Sequence, residues 1–209
     1  MVLRFYFEFA STYSYLSAHL IEALAGPRGI SVEWIPFRLG PLLYDQQGMK
    51  DSPFNLVPVK GTYMWRDMER LCAAHDLPFE RPVAFPQNGG LAARLTTALP
   101  LAERGSFVRA VYAANFAQQK DISTVAVLAA AAGRDVDEIA HLLEDPACKA
   151  TVRGNTDTAR SLGIFGSPSF VTPDGELFWG HDRLHQALDW ITHQSHRNLQ
   201  SNPNYEVQP

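Results

Sequence analysis

Two serine residues, Ser11 and Ser14, follow a run of alternating aromatic residues near the start of the chain. If that run is a strand and a helix begins at Ser11, the helix end exposes free N–H groups and a partial positive charge, and both favour a bound anion. A serine hydroxyl there can donate a hydrogen bond to a thiolate brought by another molecule, although it has no disulfide chemistry of its own. The simpler alternative is that both residues only cap the helix.

A second candidate is the proline in the segment Gly163–Phe170, which reads GIFGSPSF. Proline is tolerated at the first residue of a strand because it has no N–H to contribute to the sheet. If the Ser167–Pro168 peptide bond is cis, the Ser167 backbone turns away from the sheet and can pair with a peptide-like ligand beside Ser11. A trans bond is the commoner case and would leave this proline a structural role only.

A third candidate is the junction before the last predicted helix, where Asp182 and Arg183 are adjacent. Asp182 is predicted to be the N-cap of that helix, and this alone is sufficient to explain it. The functional alternative is that its carboxylate and the exposed N–H groups beside it hold the ammonium and carboxylate of an amino-acid end.

The elements that must position these residues begin with a β-α-β unit. The aromatic alternation of residues 3–9 predicts a strand. The apolar period of residues 16–25 predicts a helix that ends before Gly26-Pro27, and residues 32–36 predict a second strand. A β-α-β unit usually places its two strands parallel.

The middle of the chain has two parts. Residues 40–58 are rich in Pro, Gly, Gln, Asp and Asn, and we predict a long loop there. Residues 60–145 are predicted to be almost entirely helical, with Asp121 and Asp135 as N-caps. Another helix is predicted from Asp145-Pro146 towards Gly163, because proline is favoured at the first helical position.

The residue pattern near the end of the chain predicts a β-hairpin followed by a final helix. Pro173-Asp174-Gly175 is a strong turn signal between two short apolar runs, and residues 184–191 carry a helical apolar face. The assembled order predicts an α/β fold, a thioredoxin-like core (β-α-β, then α-β-β-α) with a large all-helical insertion. We expect a thioredoxin-like domain at 1–40 and 146–193, a loop plus helical insertion at 41–145, and a polar, disordered tail at 194–209.

Thioredoxin-like oxidoreductases carry Cys-x-x-Cys where this chain has Ser11-Thr12-Tyr13-Ser14. The two cysteines, Cys72 and Cys148, lie elsewhere and form no pair of that spacing. This pattern excludes an intrinsic dithiol redox activity at the predicted site.

Charge and hydropathy exclude further classes of function. With 18 basic and 22 acidic side chains in 209 residues, the net charge is −4, which argues against nucleic-acid or anionic-membrane binding. No apolar run approaches the roughly 20 residues of a membrane helix, and charged Arg4 and Glu8 rule out a secretory signal at the N-terminus. We therefore expect a cytoplasmic protein. His181 and His185 have a spacing that can bind zinc, but no third ligand accompanies them, so no metal site is predicted.

Four segments together resemble the 2-hydroxychromene-2-carboxylate isomerase family, which is similar to kappa-class glutathione transferases within the DsbA-like group. They are Phe7–Tyr15, Lys60–Asp67, Gly163–Pro168 and Phe178–Leu184. The resemblance covers residues 2–192. It implies a thioredoxin fold with a helical insertion, glutathione as cofactor, a small aromatic substrate and a homodimer.

The resemblance also implies roles for single residues. Ser11, the catalytic residue, would hydrogen-bond the glutathione sulfur, Ser167 before a cis proline would pair with the cysteinyl backbone, and Asp182 and Arg183 would hold the γ-glutamyl end. The full set implied for glutathione is Ser11, Thr12, Tyr13, Asn55, Lys60, Ser167, Pro168, His181, Asp182 and Arg183, and the walls of a second pocket are Tyr13, Phe85 and Asn88. Thr12 departs from the proline that the family commonly has after the serine.

The implied activity is the glutathione-dependent interconversion of 2-hydroxychromene-2-carboxylate-type compounds and their ring-opened benzylidenepyruvates. One alternative is a kappa-type glutathione transferase or peroxidase, which would share the glutathione site. The other is a redox-silent, thioredoxin-like binding module that holds an extended peptide between Ser11 and Pro168.

Overall fold

The computed structural model describes the backbone of residues 1–200 and the side chains of residues 1–194. Within that part, four strands form one mixed sheet in the order β2-β1-β3-β4. The two N-terminal strands pair parallel, and β3 pairs antiparallel with both β1 and β4. The strands are β1 (Val2–Phe7), β2 (Ser31–Pro36), β3 (Ser169–Val171) and β4 (Leu177–Trp179). This confirms the predicted β-α-β unit and the predicted hairpin.

The helices flank the sheet and fill the chain between β2 and the hairpin. Helix α1 (Thr12–Ala25) connects β1 to β2, and α9 (Pro146–Ser161) and α10 (Leu184–Gln200) lie on either side of the hairpin in sequence. The helices between β2 and α9 are α2 (Leu39–Gln47), α3 (Pro53–Leu56), α4 (Pro58–Ala74), α5 (Gly90–Ala98), α6 (Leu101–Phe116), α7 (Val125–Ala132) and α8 (Val136–Glu144). The order agrees with a thioredoxin-like core that carries a large helical insertion. No helix in the described part of the chain combines the length and apolarity needed to cross a membrane.

Strand β1 is buried on both of its faces. Phe5 packs against Phe170 and Trp34 in the larger core, with ring centroids 5.4 and 5.3 Å apart. Tyr6 points to the other face and meets Phe37 in a smaller core. A central strand covered on both sides explains why nearly every residue of β1 is apolar or aromatic. The segment that leaves β1 is therefore anchored by both cores.

The predicted loop over residues 40–58 is wrong, because α2, α3 and the start of α4 occupy it. Gly48 has a left-handed backbone (φ 66°) and ends α2. Ser52 accepts the N–H of Phe54 and caps α3, whose first residue is Pro53. The glycine, proline and serine residues that predicted a loop are the caps of short helices, which are too short to show an apolar period.

Two of the aspartate N-caps predicted in the middle of the chain are confirmed, and one is not. Asp135 and Asp145 cap their helices as predicted, each accepting an N–H two residues ahead. Asp121 does not, because α7 begins after Thr124 and Asp121 instead closes the preceding turn with Ser123. The α10 backbone continues to Gln200, into the segment predicted to be a polar tail, and residues 201–209 lie outside the described part.

Substitution of Gly61 tests how closely the backbone of α3 packs against α4. A Cβ at residue 61 would overlap the backbone carbonyl oxygen of Phe54, whereas a Cβ at Gly154 of α9 would have no heavy atom within 4 Å. We expect Gly61→Ala to lower the free energy of unfolding by about 1–3 kcal/mol, because the helix must shift. Gly154→Ala is the control and should raise it by up to about 1 kcal/mol through helix propensity. Urea denaturation measures both, and equal stability of Gly61→Ala and wild type would contradict the packing.

Candidate active site

The candidate site begins at the tight turn that leaves β1. The N–H of Ser11 donates to the carbonyl of Glu8 (2.9 Å), and Ser11 is the N-cap of α1. Its Oγ accepts the N–H of Ser14 (3.2 Å), while its hydroxyl donates to the carbonyl of Ser167 (2.9 Å). The capping prediction is confirmed, and the structure adds that the Ser11 proton faces the proline segment.

The Ser167–Pro168 peptide bond is cis, as the functional interpretation of this segment required. The Ser167 hydroxyl accepts the N–H of Glu8 (2.9 Å) and lies 2.8 Å from the Ser14 hydroxyl. The Tyr112 hydroxyl of α6 donates to the Glu8 carbonyl (2.9 Å). Three hydroxyl groups thus join β1, α1, α6 and the proline segment. Nothing in the local sequence pattern marks Tyr112, because it lies far along the chain on α6.

Thr12 and Tyr13 follow Ser11 in the first turn of α1. Thr12 is 1% exposed and its Oγ1 has no hydrogen-bond partner in the described part of the chain, so Thr12 can offer a ligand only its main chain. The Tyr13 hydroxyl donates to Asp67 of α4 (3.0 Å), and burial together with that carboxylate raises the Tyr13 pKa. Tyr13 is therefore a neutral side chain that connects the start of α1 to α4.

The residues predicted as pocket walls lie where α3 meets the segment before α5. Asn55 donates from Nδ2 to the Phe85 carbonyl (3.3 Å), and the neighbouring Phe54 ring lies 6.3 Å from the Tyr13 ring. Tyr13 and Phe85 thus each contact α3, at Phe54 and Asn55, whereas Asn88 accepts the Gly90 N–H at the start of α5. Lys60 is exposed in the first turn of α4.

Asp182 is not a helix N-cap. A 3-10 turn, His181–Arg183, precedes α10, and the Asp182 carboxylate pairs with the Arg183 guanidinium (3.0 Å) in an exposed position. This corrects the predicted cap and leaves both groups accessible to a ligand.

His181 is half-buried behind α1. Its Nδ1 lies 3.4 Å from the Ser17 hydroxyl, and its ring packs at right angles to that of His75, with centroids 5.9 Å apart. Burial and the nearby His75 lower the His181 pKa to about 4. His181 thus precedes α10 instead of lying on it, and this lowered pKa leaves the ring uncharged at neutral pH.

A buried carboxylate lies directly behind the site, and the sequence analysis did not select it. Glu8 is 7% exposed, and its Oε2 accepts the N–H of Leu39 (3.1 Å) and lies 3.4 Å from the Nε of Arg38. Burial raises the Glu8 pKa, and Arg38 and the Leu39 N–H act in the opposite direction. A charged residue at the end of an aromatic run was the available signal, but its partner Arg38 becomes visible only in the folded chain.

Neither cysteine belongs to the hydrogen-bond network around Ser11. Cys72 and Cys148 are free and buried, with 1% and 6% exposure. Burial raises the Cys72 pKa to about 12. A thiolate at Ser11 must therefore come from a ligand.

The family model of the DSBA-like thioredoxin domain matches residues 2–192. The chain belongs to this family. Within the DsbA-like proteins, 2-hydroxychromene-2-carboxylate isomerase of Sphingobium xenophagum is 29% identical to it, covering 87% of this chain and 93% of that protein. Glutathione s-transferase kappa 2 of Caenorhabditis elegans is 25% identical, covering 91% of each chain.

The solved structure of a 2-hydroxychromene-2-carboxylate isomerase superposes with a TM-score of 0.83 at 22% identity. The match covers 96% of this chain and 98% of that one. The predicted fold and the predicted family resemblance are both confirmed: the chain has the DsbA-like thioredoxin fold, and its relatives include named isomerases.

Thr12 provides a stability test within this DsbA-like site. An unpaired buried hydroxyl costs about 1–3 kcal/mol, so Thr12→Val, which keeps the shape, should raise the free energy of unfolding by about 1 kcal/mol. The control is Thr151→Val on the exposed face of α9, where the lost hydroxyl donates to a local carbonyl. This control should change stability by less than about 0.5 kcal/mol. A Thr12→Val protein less stable than wild type in urea would show that Oγ1 is solvated or paired.

His181 predicts an acid-dependent loss of stability. Its folded pKa of about 4 lies below the ordinary value of 6.5, so the unfolded chain takes up the proton first and stability falls as the pH drops from 6.5 towards 4. His181→Gln should remove up to about 1.4 kcal/mol per pH unit of this slope. The raised pKa of Glu8 makes stability rise as the pH drops, which is the opposite effect. Because both proteins contain Glu8, the difference between their stability profiles isolates the contribution of His181. Urea midpoints from pH 7 to pH 4 measure it, and parallel profiles would contradict the burial of this ring.

Proposed function

We propose that the protein is a glutathione-dependent isomerase that interconverts 2-hydroxychromene-2-carboxylate-type compounds and their ring-opened benzylidenepyruvates. The observation that carries the proposal is the Ser11 hydroxyl at the start of α1, in a position with no thiol of its own. The relative named as such an isomerase, aligned over nearly its whole length, supports the same activity. The proposal includes a homodimer, which the family resemblance implies, and the cytoplasmic location expected from the sequence.

The first turn of α1 fits a thiolate. Among the described residues, the N–H groups of Thr12 and Tyr13 have no acceptor, since Ser11 caps only the N–H of Ser14. Free N–H groups at a helix start lower the pKa of a thiol placed there. Rotation of the Ser11 hydroxyl away from the Ser167 carbonyl would supply one more donor. Glutathione supplies the nucleophile, which adds to the unsaturated substrate and is released after ring opening and bond rotation.

The remaining implied residues would bind the tripeptide around that point. The backbone of Ser167, next to Pro168, would pair with the cysteinyl unit. Asp182 and Arg183, which now neutralise each other, would separate to hold the ammonium and carboxylate of the γ-glutamyl end. Asn55 and Lys60 would contact glutathione or substrate from α3 and α4. His181, against Ser17 of α1, would support the glutathione site from behind as a neutral ring.

Ser11→Ala tests the thiolate role. The variant should lower kcat at least tenfold, because one hydrogen bond to a charged group is worth about 1.5–3 kcal/mol. The pKa of bound glutathione, measured by thiolate absorbance at several pH values, should rise at the same time. The control is Ser161→Ala on the exposed face of α9, where the hydroxyl donates only to a local carbonyl. Full activity of Ser11→Ala with an unchanged thiol pKa would refute the assignment.

A kappa-type transferase is the second candidate, favoured by the relative that carries that name. Conjugation of glutathione to 1-chloro-2,4-dinitrobenzene, without isomerisation of the chromene, would select it. The binding-module alternative predicts no glutathione binding at all. A thermal-shift titration separates it, because a ligand at 100 times its dissociation constant adds about 2.7 kcal/mol of stability.

A further inference from the structure

The order of the sheet separates two sides of the candidate site. Ser11 follows β1, and the proline segment and Asp182 belong to the β3 and β4 side. Arg38 follows β2, on the opposite side of β1. A glutathione molecule held by the β3 and β4 side leaves the Arg38 side of Ser11 to the second substrate.

Arg38 is anchored at its backbone and stem, while its outer nitrogens are free. Its N–H donates to Thr156 of α9 (3.0 Å), and its Nε faces Glu8 at 3.4 Å without a hydrogen bond. Within the described residues the Nη1 and Nη2 groups have no acceptor, and 40% of the side chain is exposed. A guanidinium in this state offers two parallel donors, the geometry that matches a carboxylate.

The start of α5 adds to this positive field. Arg38 Nη1 lies 2.5 Å from the position that a Cβ on Gly90 would occupy, so the guanidinium rests on the first residue of the helix. Asn88 accepts the Gly90 N–H (3.0 Å), whereas the N–H groups of Leu91 and Ala92 have no acceptor among the described residues. The first turn of α5 contains no acidic residue. The helix end and the guanidinium therefore favour the same anionic ligand.

Arg38 is also close to the proposed chemistry. Glu8 meets Arg38 with its carboxylate and accepts the Ser11 N–H with its carbonyl. The Cα atoms at the two ends of such a turn lie within about 7 Å. Glu8 thus contacts Arg38 through its carboxylate and Ser11 through its backbone carbonyl.

We propose that Arg38, resting on Gly90 at the start of α5, binds the carboxylate of the aromatic substrate and sets the specificity for acids. The inference rests on the proposed isomerase function and names the residue that selects its substrate class. Glu8 orients the guanidinium from behind through Nε. The outer Nη1 and Nη2 groups remain for the ligand.

The test uses chromone-2-carboxylate, a planar acid that cannot ring-open, and its uncharged carboxamide as the matched probe. Calorimetry on the wild type with glutathione present should show at least tenfold tighter binding of the acid. Arg38→Leu should abolish this preference and leave the glutathione dissociation constant unchanged. Arg66→Met is the control, because Arg66 is an exposed arginine of α4 paired only with Glu69, and it should keep the preference.

Arg38→Leu leaves Glu8 without its cation and could fail to fold. Gly90→Ala avoids this problem. Its methyl group would lie 2.5 Å from the present position of Nη1, so it would displace the guanidinium without removing its charge. This variant should also lose the preference for the acid. In the steady state, both variants should raise KM for the chromene carboxylate more than they lower kcat.

The possible failures can be told apart. A wild type that binds glutathione but discriminates less than twofold between acid and carboxamide would overturn the Arg38 assignment alone. Equal loss of acid and carboxamide binding in Gly90→Ala would also overturn it, since the residue would then only shape the pocket. A protein that prefers the acid in an Arg38-dependent way but binds no glutathione would overturn the isomerase proposal and leave the carboxylate site standing.

Discussion

The turn from Glu8 to Ser11 is the constraint on which the candidate site depends. Its backbone polar groups are bonded on every side: the Glu8 N–H by Ser167, the Glu8 carbonyl by Ser11 and Tyr112. A buried backbone group without such partners would cost free energy comparable to a lost hydrogen bond. Because these partners come from α1, α6 and the proline segment, the site forms only when the core and the helical insertion have folded together.

The same network bears on the proposed binding of glutathione, in which the ligand would bring the negative charge. Ser11 uses its hydroxyl as acceptor and donor within the network, and a neutral hydroxyl needs no compensating charge. A thiol at this point would be ionised by the helix end, whereas the thiol of Cys72 is kept protonated by burial. In this chain the start of α1 has a serine cap and no thiol in its first turn.

The sequence predicted those parts of the structure that depend on neighbouring residues. Strand alternation, the cap at Ser11, and the hairpin turn at Pro173-Asp174-Gly175 are local, and all three are present. The short helices over residues 40–58 were missed because their caps look like loop residues. Tyr112 and Arg38 were missed for another reason: each acts on Glu8 from a distant element, and such a contact leaves no pattern in a single sequence.

In the proposed reaction, a charged Glu8 would couple the two sides of the site electrostatically. A charged carboxylate next to the proposed thiolate would raise the thiol pKa, since like charges disfavour ionisation. Arg38 and the Leu39 N–H offset that charge, and the hydroxyl network separates it from the helix start. A substrate carboxylate bound to the outer nitrogens of Arg38 would share that cation with Glu8. Substrate binding on the β2 side would thereby weaken the screening of Glu8 and raise the pKa of the bound thiol, which the free N–H groups at the start of α1 lower.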